Sequence, residues 1–189
     1  MRSPFTHEPA FCGRIVAGAT HDLRNVLAVI KEYAGLLEDI AAAGPQTLAD
    51  KHERVGRALS SIAGQLSRGE AMLGRLNRFA HCADEECSDI EAGEALELLS
   101  FLTRRRMSQA GVEPEISVEA GAVLHCDVMR LLMALHGAQE AALAAIAGGG
   151  RLVLAARREG QEVELELRPE GDGSGRAGEL TPVAEALEP

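Results

Sequence analysis

A chain of 189 residues, 46% of them apolar, can bury a core as one domain or as two small ones. Aromatic residues make up 3% and tryptophan is absent, so that core must be built from Leu, Ala, Val and Ile. The formal charge of −10 is unevenly placed: residues 1–85 balance ten basic against ten acidic side chains, whereas residues 86–189 hold nine against nineteen. No basic patch could track a phosphate backbone, which argues against a nucleic-acid partner.

The start of the chain, Met1 to Glu8, lacks an apolar signal core, and no apolar run approaches membrane length. The expectation is a soluble, cytoplasmic protein without a membrane partner. Cys12, Cys82, Cys87 and Cys126 show no CxxC spacing and read as free thiols. His81-Cys82 with Cys87, and His125-Cys126, fit no tetrahedral zinc spacing, so no metal site is expected.

The first predicted helix runs from about Pro9 to Ala43, with proline suited to a first turn and Gly44-Pro45 as stop and breaker. Val16, Ala19, Leu23, Val26, Ile30, Tyr33, Leu37 and Ile40 follow one another at alternating spacings of 3 and 4. That is a heptad register. His21 falls opposite this seam and points to solvent, and Asn25 shares its outer face one turn later.

Thr47-Leu48-Ala49-Asp50 resembles a capping box and opens a second helix. Its predicted seam is Leu48, His52, Val55, Leu59, Ile62, Leu66, Gly69, Leu73, Leu76 and Ala80, again at spacings of 4 and 3. Each helix would span roughly 50 Å, and a short loop makes them an antiparallel pair. Leu27, Ala34 and Leu36 widen the apolar stripe beyond what one hairpin covers. Pairing two hairpins as a homodimeric four-helix bundle would bury that margin; packing on the chain's own C-terminal half is the alternative. Gly64, Gly69 and Gly74 weaken the second helix and point to close helix contacts or a mobile stretch.

The polar stretch from Ala83 to Asp89 reads as a linker. After it come a helix at about Ile90–Ala110, a strand at Glu115–Glu119 and a helix at about Asp127–Ala147 ended by Gly148-Gly149-Gly150. Strands Arg151–Arg157 and Glu162–Arg168 follow, joined through Arg158–Gln161. The alternation Val163-Glu164-Leu165-Glu166-Leu167 gives one solvated face. This order describes a small α/β sandwich.

His21-Asp22-Leu23-Arg24-Asn25-Val26-Leu27 resembles the phosphoacceptor box of two-component histidine kinases and histidine phosphotransferases. It departs at Val26, where that family usually has a helix-bending proline, and a straighter helix is expected. Residues 89–175 resemble the same family's ATP-binding module. Its two asparagine positions are Gly137 and Ala141 here, and Pro169 stands where the adenine-reading Asp belongs. Pro169-Glu170-Gly171-Asp172-Gly173 keeps both glycines, but the second glycine box and the lid are missing. Neither Gly nor Ala can supply the oxygen ligand that Mg²⁺ needs beside a triphosphate.

The resemblance implies an α+β fold: a long antiparallel helical hairpin forming a dimeric four-helix bundle at residues 1–85, then a degenerate ATPase-like α/β sandwich at 86–175. A flexible tail at 176–189 closes the chain. It further implies a phosphotransferase that relays a phosphoryl group between response-regulator receiver domains through His21, with no cofactor of its own and Mg²⁺ supplied by the receiver. Asp22 would orient the ring or take its proton, and Asn25 and Arg24 would hydrogen-bond the phosphoryl group. Arg24, Asn25 and Ala28 would meet the receiver. Two other readings stay open: a kinase-like phosphatase or residual kinase, and a non-catalytic receiver-binding scaffold.

Overall fold

The computed structural model describes residues 8–42, 48–82, 87–146, 148–160 and 162–171. Two long helices, α1 (Glu8–Ala42) and α2 (Leu48–His81), are followed by β1 (Ser88–Glu91), α3 (Ala92–Gln109), β2 (Val112–Val118), β3 (Val123–Cys126), α4 (Val128–Ala145), β4 (Gly150–Glu159) and β5 (Glu162–Glu170). The chain forms a helical hairpin followed by an α/β module. Thr47, Gly44-Pro45, Asp172-Gly173 and the tail lie outside the described residues.

Two compact units divide the chain: residues 16–76, and residues 1–15 together with 77–189. The first turns of α1 and the last turns of α2 belong with the α/β module.

In the unit of residues 16–76, α1 continues as one helix through Val26. Val26 and Ile40 are buried on α1, with Leu23, Ile30, Tyr33 and Leu37 half-buried beside them. Val16 is exposed, and its neighbour Ile15 is buried instead. On α2 the inward line is Ala58, Gly69 and Met72. The expected seam is corrected by one position: Leu59, Leu66 and Leu73 are 53%, 52% and 56% exposed. The line of Ala58, Gln65 and Met72 lies beside that of Leu59, Leu66 and Leu73, so α2 carries two adjacent heptad lines. The line of Ala58, Gln65 and Met72 is the one turned away from solvent.

In the other unit, β1 pairs antiparallel with β3 from Ser88↔Cys126 to Glu91↔Val123. Neither strand is expected from the sequence, where Ser88 and Asp89 belong to a polar linker. The larger sheet has the order β2-β4-β5, parallel between β2 and β4 and antiparallel between β4 and β5. Helices α3 and α4 cover its inner face, where Leu152, Leu154, Ala156 and Leu167 are buried with Leu96, Leu99, Leu131, Leu132 and Leu135. Each such leucine contributes about 2 kcal/mol through removal of its surface from water.

The outer face carries Glu115, Arg151, Arg157, Glu166 and Arg168 in register across the strands. Arg151 Nη1 lies 2.7 Å from Glu115 Oε2, and Arg168 bridges Glu166 and Glu170 at 3.5 and 3.2 Å. Alternation in β5 thus places charge outward and Leu167 inward, as its sequence pattern requires.

Helix α4 begins on Asp127, whose side chain accepts a hydrogen bond from the Arg130 backbone N–H at 3.0 Å. Past its end, Gly148 and Gly149 take φ of 83° and 95°, the left-handed region that glycine enters without steric cost.

Candidate functional site

The candidate site is built on one exposed face of α1. His21 is exposed because its neighbours three and four positions away are polar or small, while the apolar residues of the helix turn inward. His21 Nδ1 lies 3.4 Å from Asp22 Oδ1 and 3.4 Å from Asn25 Nδ2. Both contacts converge on the same ring nitrogen. They demand opposite tautomers: Asp22 accepts from an Nδ1–H, whereas the Asn25 amide donates to an Nδ1 lone pair. When Asp22 holds the proton on Nδ1, the lone pair sits on Nε2. That arrangement presents a nucleophilic nitrogen on the outer surface of the helix.

The structure therefore brings together three of the five residues singled out on sequence: His21, Asp22 and Asn25. Arg24 is exposed on the same helix, and no hydrogen bond joins it to His21. Ala28 is exposed as well and lines a surface cleft of about 700 Å³ with Lys31, Glu32, Tyr33, Gly35, Leu36 and Asp39. The sequence reading passed over Lys31, Glu32 and Asp39. Their signal was present in the positions 28, 31, 32, 35 and 39, which repeat along one helix face.

At the positions where the sequence resemblance would put nucleotide ligands stand Gly137, Ala141 and Pro169. Gly137 and Ala141 are exposed on one side of α4. Pro169 is buried within β5 opposite Leu152, a proline ring without a side-chain donor or acceptor. These residues do not fit an adenine nucleotide held through Mg²⁺.

The cysteine and histidine pairs weighed for metal have other surroundings. His125 Nδ1 is 2.6 Å from Asp89 Oδ1 across the β1–β3 ribbon, both side chains well exposed. Cys126 is buried, and that burial, aided by Cys87 and Asp127, pushes its thiol above the ordinary value. Among the described residues no group of three or more His, Cys, Asp or Glu could hold a metal ion, and no helix is long and apolar enough to cross a membrane.

No family model matches this sequence, and no curated protein does. Solved structures do. The chain is similar to the histidine kinase AdeS of Acinetobacter baumannii at 17% identity and a TM-score of 0.42, over 85% of this chain and 76% of that one. A bacterial phosphotransferase matches at 18% identity and 0.42, over 90% and 70%. The histidine kinase ThkA, solved in complex with the response regulator TrrA, matches at 15% and 0.38, over 84% of this chain and 45% of that one. At these identities and TM-scores nothing about activity passes from them to this chain. What the chain itself has is a long helical hairpin, with an exposed histidine on its first helix, followed by an α/β module.

Proposed function

We propose that this protein is a histidine phosphotransferase, relaying a phosphoryl group between response-regulator receiver domains through His21 without using ATP. The observation that carries this reading is the contact of Asp22 with Nδ1 of an exposed histidine, which in the Nδ1–H tautomer leaves Nε2 to act. Nε2 attacks the aspartyl phosphate of a docked receiver in line with the leaving carboxylate; the N–P bond forms as the O–P bond breaks. Asp22 stabilises the Nδ1–H as positive charge grows on the ring. A second receiver aspartate then takes the phosphoryl group and returns the lone pair to Nε2. Positioning and charge stabilisation dominate such a transfer, so few further groups are needed. Mg²⁺ comes with the receiver, and Arg24 and Asn25 approach the phosphoryl oxygens from the same helix.

The exposed row of Leu59, Leu66 and Leu73 supports a homodimer in this reading, since a second hairpin would take that row out of water. The absence of usable ligands at Gly137, Ala141 and Pro169 favours relay over ATP-dependent autophosphorylation.

The test is incubation of purified protein with phosphorylated receiver domains, beside a parallel reaction with Mg²⁺-ATP. Phosphate appearing on the wild type from the receiver, but not on His21→Ala, is the expected result. Labelling by ATP would make the protein a kinase. Receiver binding without any phosphohistidine would make it a scaffold.

A further inference from the structure

The first turns of α1 share a compact unit with α4, and an aromatic cluster joins them. Phe11, 2% exposed, packs edge-on against Phe79 of α2, with ring centroids 5.7 Å apart at 77°. On its other side it meets the ring of His136 on α4, at 5.1 Å and 66°. A second tie lies nearby in the chain: Arg78 on α2 binds Glu94 on α3 with both nitrogens, at 3.2 and 2.5 Å. Such a bidentate pair fixes orientation as well as distance. The first turns of α1 and the end of α2 are thus tied to α3 and α4 through an aromatic cluster and the Arg78–Glu94 ion pair.

A histidine is an unusual member of such a cluster, because Phe or Leu would fill the place without a titratable group. We propose that His136 and Phe11 form a pH-sensitive latch, which holds the first turns of α1 on α4 when the imidazole is neutral and releases them on acidification.

The charges around His136 support that direction. Burial is the largest influence and lowers its proton affinity below the ordinary value. Glu140, one turn on along α4, opposes this, while Arg14 from α1 and Arg106 from α3 reinforce it. Glu140 is already engaged by Arg106, its carboxylate 3.0 Å from Nε. From α2 the cluster receives the uncharged ring of Phe79, which meets Phe11. The latched state thus binds its proton at lower pH than the released state does. Latching is at full strength above the free-histidine value of about 6.5 and weakens as pH falls below it. The latch stands whether or not His21 carries phosphate.

Hydrogen exchange on the full chain tests this, with protection factors corrected for intrinsic rates at about pH 7.5 and about pH 5.5. Amides of residues 9–15 in the wild type should lose protection at the lower pH, by at most about tenfold, while those of residues 152–156 in β4 hold theirs. His136→Phe keeps an aromatic ring and cannot titrate; His136→Gln serves if that ring does not fit. Either variant should change by less than about twofold between the two conditions. Unchanged protection in the wild type, an equal loss in the variant, or loss together with β4 would each overturn the latch.

Discussion

Gly150 and Glu170 run so close together that a methyl group at Gly150 would overlap the Glu170 carbonyl oxygen. Here β4 leaves the glycine turn after α4, and Gly150 N–H donates to the Gly111 carbonyl at 3.1 Å. Backbone rather than a flexible side chain occupies the space. Gly150→Ala should therefore destabilise the protein by about 2 kcal/mol or more, read as a lowered denaturation midpoint. Gly69 is the contrast, because its added methyl would sit 3.5 Å from Val26 Cγ1, an ordinary contact. Gly69→Ala should leave stability unchanged or raise it by up to about 1 kcal/mol, through better helix propensity.

Thr103 and Gln139 form the buried polar pair of the α/β module. Gln139 Nε2 donates to Thr103 Oγ1 at 2.9 Å, and that hydroxyl donates to the Leu99 carbonyl at 2.7 Å. Gln139 Oε1 is buried without a partner. Thr103→Val should cost about 1–3 kcal/mol, since it leaves the whole Gln139 amide unpaired. Gln139→Leu removes both the orphan oxygen and the donor, while Thr103 keeps its bond to Leu99. Chemical denaturation should find that variant no less stable than wild type, and a loss as large as that of Thr103→Val would contradict this account.

The exposed leucine row on α2 predicts assembly through that face. Leu66→Glu and Leu73→Glu each place a charge where a second hairpin would exclude water, at a cost of several kcal/mol to association. Neither faces α1, so the monomer should stay folded. Light scattering at tens of micromolar should give a dimer for the wild type and a monomer for the double variant, with equal helicity by circular dichroism. A wild-type monomer would remove the dimer from the proposal.

Docking of the receiver is predicted to cover Ala28, which is exposed and lines the cleft on α1. Ala28→Arg should slow phosphotransfer at least about tenfold by steric and charge interference, a barrier of about 1.4 kcal/mol. Folding should be unaffected, because position 28 is off the buried line. His21→Ala should bind the receiver normally and form no phosphorylated product. Transfer at the wild-type rate by Ala28→Arg would move the docking surface elsewhere.

The long helices, the outward placement of His21 and Asn25, and the solvated face of β5 were all legible in the sequence by itself. Each is a periodicity, and periodicity is carried by neighbours along the chain. The run His21–Leu27 is legible because it is contiguous. What the tertiary structure alone decided is which residues meet. On α2 two heptad lines lie side by side, sharing Ile62, Gly69 and Leu76, and composition favoured the leucines. The structure turns Ala58 and Met72 inward instead, because a seam is a property of two surfaces and α1 supplies half of it. Strands β1 and β3 are four residues each, too short for local alternation to reveal, and exist by pairing Ser88–Glu91 with Val123–Cys126. The contact of Phe11 with His136 joins positions far apart in sequence. Burial of that imidazole, and with it its lowered proton affinity, comes from the packing of separate helices rather than from its neighbours along the chain.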